Sequence, residues 1–231
     1  MGEFVDVTLS RVPEGLVVPE PLVLLFQWVE DNGFVKRGED GELHGSLSHW
    51  PGPGTDLSLR AAPPDENKDR IAGWFGGPWW PLRDGTPVLW FFCTTGGDGS
   101  QAALWFAPDG HTRIVHLGSG SGSLLTCVLG ETAVDFLRLV AIGYEEICWS
   151  EDWHEPPQEK PNHAVINEPY RHWVTTTFNT TIPATALELV PAPAEMGDTD
   201  TQDVWCQWVN AATSLDTSPD LHGRCGNAQH E

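Results

Sequence analysis

Between Ala133 and Ile142 the chain reads AVDFLRLVAI, and only Asp135 and Arg138 interrupt its apolar residues. At the helical period those apolar positions cover nearly the whole circumference, so a helix formed here must be buried on almost every side. No other feature constrains the fold as much. The run sits inside the longest helix-compatible stretch, Val128 to Ser150. Thr132 is placed to cap its start, with Asp135 at the third helical position, and Gly143 can take the left-handed turn that ends it. A second short helical segment is expected beyond Gly143.

Upstream, four extended runs follow one another closely: Pro87 to Thr94, Ala102 to Ala107, Thr112 to Leu117 and Ser123 to Leu129. Their connections are short and rich in turn residues, which predicts an antiparallel meander feeding directly into the helix. Strands grouped in this way, rather than alternating with helices, indicate an α+β fold. Pro19 to Asn32 reads as a helix with Pro21 in its first turn and Gly33 just past its end. Val5 to Leu9 and Asp56 to Ala61 read as short strands, and PPDENKDR, residues 63 to 70, as a loop. Downstream, residues 169 to 178 predict a helix with Tyr170, Trp173, Val174 and Phe178 on one side. Ile182 to Val190 looks extended, and Trp205, Trp208 and Val209 share one face of a short helix in Asp203 to Asn210. The expectation is a single α+β domain over residues 1 to 210. Its sheet is mainly antiparallel, a meander of about four to six strands with helices packed against it. A polar, disordered tail occupies 211 to 231.

The net charge of −21 narrows the partners. Residues from Glu131 onward carry 17 acidic and 4 basic side chains, against 16 and 8 in the first 130. Such a surface repels nucleic acid and anionic lipid and speeds encounter with basic partners, although solubility alone explains it equally well. No apolar run approaches the roughly 20 residues that span a bilayer. The start, MGEFVDVTLS, lacks the basic and apolar regions of a signal peptide, so a cytoplasmic location is expected. Five scattered cysteines without C-x-x-C spacing point to reduced thiols.

Motifs for chemistry are weak. GSGSGS, Gly118 to Ser123, has no lysine for a phosphate loop, and the serine position of a nucleophile elbow is occupied by Gly120; it reads as a flexible turn. Cys148, His154, His163 and His172 lack metal-ligand spacing, and Cys148, following an apolar helix, reads as a buried small hydrophobe. Asp152 with Glu155 forms a carboxylate pair no different in pattern from a solvated acidic loop. Neither a metal nor a cofactor is called for. The denser feature is acidic: Glu145, Glu146, Glu151, Asp152, Glu155 and Glu159 precede any basic residue until Lys160, a repulsion that belongs at the surface. Trp79 and Trp80 lie in a glycine- and proline-rich loop and Trp153 lies within the acidic run, so these indoles are candidate anchors for a partner.

From Leu104 to Val190, the sequence ALWFAPDGHTRIVHLGSGSGSLLTCVLGETAVDFLRLVAIGYEEICW, followed by YRHWV and TIPATALELV, resembles bacterial members of the SUKH superfamily, the Smi-Knr type. IVHLGSGSGS and DFLRLVAIGYEEI are the most specific pieces. The resemblance implies a single α+β domain without catalytic residues. Many bacterial members are immunity proteins that neutralise polymorphic toxins, whereas fungal relatives regulate cell-wall synthesis. The expected function is therefore that of a non-enzymatic immunity protein occluding a toxin domain of basic surface. Glu145, Glu146, Glu151, Asp152, Trp153, Glu155, Trp79 and Trp80 would form the contact. A regulatory or scaffolding protein without a toxin partner is the alternative, and a hydrolase using residues 148 to 154 a third.

Overall fold

A computed structural model describes residues 2–49, 52–75, 82–83, 86–157 and 166–214. Trp79, Trp80, Glu159, His163 and the stretch from 215 onward lie outside the described residues. The buried helix is present as α4, Ala133–Ile142, with seven of its ten residues inside. The Thr132 hydroxyl accepts from the Asp135 amide at 3.1 Å, and Gly143 ends the helix at φ 101°. Its two polar residues are half-buried, and Arg138 donates to Asp135 and to the Thr181 carbonyl. Beyond Gly143 comes a turn and then a single 3-10 turn, Ser150–Asp152.

The helix packs on a seven-stranded antiparallel sheet. Its strands are β1 (Val35–Arg37), β2 (Leu43–Gly45), β3 (Ser58–Leu59), β6 (Leu89–Thr94), β7 (Gln101–Phe106), β8 (Thr112–Leu117) and β9 (Val128–Gly130), in that spatial order. A separate two-stranded ribbon pairs β4 (Leu82–Arg83) with β5 (Thr86–Pro87). The expected meander is β6 to β9, and the three short strands extend it at one edge. The result is an α+β domain, with helices against the sheet.

Both faces of the sheet are covered, which explains why LWFF and AALWF are continuously apolar rather than alternating. Successive side chains point to opposite faces. Trp90, Phe92, Leu104 and Ile114 meet α4 together with α1 (Glu3–Ser10), α2 (Glu20–Asp31) and α5 (Glu168–Thr177). Leu89, Phe91, Trp105 and Val115 meet α3 (Pro64–Phe75) and α6 (Val204–Ser214). No described helix is long and apolar enough to cross a membrane.

Three local expectations are corrected by tertiary partners. Val5 to Leu9 is not a strand but part of α1: the Glu30 carboxylate accepts from the Phe4 amide at 2.8 Å, capping the helix from α2. The run 63 to 70 is helical because Asn67, buried, bonds the sheet twice, donating to the Leu89 carbonyl and accepting from the Phe91 amide. Ile182 to Val190 is not extended; it contains the 3-10 turn Ala186–Glu188, closed by a Thr185 and Glu188 capping box. The last helix, α6, reaches Ser214, into the stretch expected to be a tail. Asp203 caps it, accepting from the amides of Trp205, Cys206 and, across the fold, Val128.

Candidate functional site

The acidic segment begins where α4 ends. Tyr144, buried, donates its hydroxyl to the Glu155 carbonyl at 2.8 Å and accepts from the Ala186 amide, so both ends of the segment are tied to the interior. Trp153 is the plug beneath it, at 0% exposure. This corrects the expectation that Trp153 anchors a partner: an acidic loop needs an apolar foot to stay ordered, and the indole supplies it. Around that foot Glu145, Glu151, Asp152, His154 and Glu155 are exposed.

Glu146 stands apart from the others. Its carboxylate accepts from the Gly97 amide and from the Trp149 indole Nε1, each at 2.6 Å. It is a brace between the β6–β7 connection and the acidic segment, with little capacity left for a partner. Glu151 and Asp152 form no ion pair with lysine or arginine among the described residues, and the Glu155 carboxylate lies 3.8 Å from the imidazole of its neighbour His154. Across the turn, Asp56 joins the cluster, its amide donating to the Glu145 carbonyl at 2.7 Å. Burial, then Glu146 and Glu145, raise the Asp56 carboxyl above its ordinary value. Between them lies a groove of about 350 Å³ lined by Ser46, Ser48, Thr55, Asp56, Glu145 and Glu146.

The residues weighed for catalysis do not come together. Cys148 is buried, and burial followed by the charges of Asp98 and Glu146 pushes its thiol up, away from the reactive thiolate. Among the described residues its one hydrogen-bonded side chain is Glu146, at 3.8 Å, and neither Asp152 nor His154 bonds it. His172 is exposed on α5. No group of three or more histidine, cysteine or acidic side chains with metal-holding geometry occurs among the described residues. Cys93, Cys127, Cys148 and Cys206 are free and buried, in keeping with reduced thiols.

Sequence reasoning missed Asp56, 89 positions before Glu145, because the two meet only through the fold. It also missed Asp98, which holds the GSGSGS turn. Compared with known proteins, the chain matches no family model, no curated protein and no solved structure.

Proposed function

We propose that this protein is a non-enzymatic binding protein whose acidic face receives a basic protein surface. In its most concrete form it is an immunity protein of the SUKH type that occludes a toxin domain. One observation carries this reading: Glu151 and Asp152, and separately Asp56 beside Glu145 and Glu146, are exposed without a lysine or arginine ion pair to Glu151, Asp152 or Asp56 among the described residues, while Arg11, Arg60, Arg70, Arg113 and Arg138 are each paired elsewhere. Uncompensated carboxylates repel one another, and a basic partner removes that repulsion as it binds. The groove between Asp56 and the Glu145–Glu146 pair has room for a lysine or arginine side chain, whose stem would pack on Leu47 and Leu57. The buried Cys148, bonded by neither Asp152 nor His154 among the described residues, argues for binding over nucleophilic chemistry.

The test is association with the product of the adjacent gene, purified together with this chain. Reversing charge at Glu151, Asp152 and Glu155 should slow association about 10-fold or more at low salt, with the difference shrinking as salt is raised. An association rate that does not move would remove this face from the interface.

A further inference from the structure

The glycine–serine run that follows β8 is a built turn, and each of its glycines has its own reason. At Gly118 a β carbon would come within 2.5 Å of the Ser123 carbonyl oxygen; Gly120 sits at φ 74°; at Gly122 a β carbon would lie 2.8 Å from Asp98 Oδ2. The serines are equally specific. Ser119 Oγ donates to Asp98 Oδ2 at 2.8 Å and accepts from the Gly122 amide, while the Ser123 amide donates to the same Asp98 oxygen at 2.9 Å. Ser100 adds its amide and hydroxyl to Asp98, so four donors surround one carboxylate. Burial alone would raise this carboxyl, yet the bonds from Ser123, Ser100 and Ser119 outweigh it and bring it down to about 2.

Two links lead from this cradle to the acidic segment. Ser123 Oγ donates to the Cys148 carbonyl at 2.6 Å. On the other side, the Gly97 amide donates to Glu146. Gly96 lets the chain pass there, since a β carbon at that position would come within 2.3 Å of Cys148 Sγ.

We propose that Asp98 is the positioning residue of the acidic face: its carboxylate locks the 118–123 turn, and the turn, with the Gly96–Gly97 corner, fixes where Glu146 to Asp152 stand. The proposal rests on the reading of that face as the partner surface. A cluster of like charges spreads apart unless its backbone is held, and a preformed array binds with less ordering cost than a loose one. Asp98 supplies the hold from outside the cluster. It is itself anionic, but its charge is consumed by four donors rather than shown to a partner.

The Trp149 indole reports on this coupling, because its Nε1–H bonds Glu146 and Asp98 does not touch it. In the full-length chain labelled with nitrogen-15, Asp98→Ala should shift the Trp149 indole signal. It should also raise solvent exchange about fivefold at that indole and at the Gly97 amide, the loss expected for one hydrogen bond, while α2 stays protected. Formate, which restores a carboxylate to the emptied cradle, should return the signal toward its wild-type position. An equal return with chloride at the same ionic strength would overturn the proposal. So would faster exchange confined to 119–123 with the Trp149 and Gly97 signals unmoved. If Asp98→Ala does not fold, Asp98→Asn decides the matter, since it keeps the shape of the side chain but replaces one of its two acceptor oxygens with a donor: a shifted Trp149 indole supports the coupling and an unshifted one refutes it. No partner takes part, so a failed clamp leaves the acidic face to be judged by the charge reversals, and failed charge reversals leave the clamp standing.

Discussion

Two clusters of charge, both on the surface of one small domain, are built on opposite principles. Where α1, β2, β3 and α3 meet, the charges alternate in sign: Arg11 pairs with Glu42, Arg60 with Glu42 and Glu66, and Arg70 with Glu66 and Gln101. The hydrogen bonds from Arg60, with those from Arg70, hold the Glu66 carboxyl down to about 2. At the end of α4 the charges share one sign, and the Asp56 carboxyl moves the other way. The first cluster spends its charge on joining elements of the fold. In the second, Glu151 and Asp152 stay exposed with no lysine or arginine ion pair among the described residues. Removing a carboxylate should therefore have opposite consequences in the two places, and that contrast can be tested directly.

Acid gives the largest expected effect, and it begins in the core. His116 is wholly buried, lying 2.8 Å from both Thr95 Oγ1 and the Leu125 carbonyl, and burial lowers its pKa to about 4. The unfolded chain takes up this proton near pH 6.5 and the folded chain only near 4. Stability is thus complete above pH 6.5 and falls as the pH drops through that window, by on the order of 3 kcal/mol. Denaturant titrations from pH 7 to 4 of wild type and His116→Gln should show this slope only in the wild type. The paired cluster responds lower still: Glu66 contributes stability above its unfolded value of 4.5 that is lost as the pH falls toward 2.

Next in size is Glu66→Ala, which leaves Arg60 and Arg70 without their shared partner. A loss of about 2 kcal/mol is expected, less than for a fully buried pair because the guanidinium groups keep some water. Thermal or urea unfolding measures it, and a change under 0.5 kcal/mol would mean the network is ornamental. Ionic strength comes third. Raising salt from about 10 mM to about 0.15 M shortens the screening length from roughly 30 to 8 Å, which relieves the acidic face more than it weakens close pairs. The melting temperature should therefore rise with salt, and a fall would show that the paired cluster dominates. Smallest is Asp56→Asn, expected to be neutral or stabilising within about 0.5 kcal/mol, in contrast to Glu66→Ala.

Much of the fold was legible because its signals are local. The capped apolar helix, the β6–β9 meander and the one-sided Tyr170, Trp173, Val174 and Phe178 pattern all rest on spacing within a dozen residues, and all are present. Glu151, Asp152 and Glu155 are exposed as their mutual repulsion requires. What was misread depended on distant partners. α1 needs a carboxylate 26 residues away, and α3 needs two backbone groups on β6. GSGSGS has the composition of a flexible linker, and only Asp98 makes it a specific turn. Trp153 looked like an anchor because a tryptophan among glutamates has no local reason to be buried, and its reason lies in the interior that the segment covers.

The sequence by itself determined that this chain folds around a helix with nowhere to be but inside, beside a sheet of turn-linked strands, and that its C-terminal half carries unbalanced negative charge. Periodicity, capping and net charge are local or additive properties, so they can be read in one dimension. The tertiary structure decided which carboxylates are spent and which are presented. Glu146 and Asp98 are consumed by hydrogen bonds from Gly97, Trp149 and the 118–123 turn, whereas Glu151 and Asp152 remain in water. An acidic side chain has the same formal charge in either role, and only the donors that the fold brings to it separate the two.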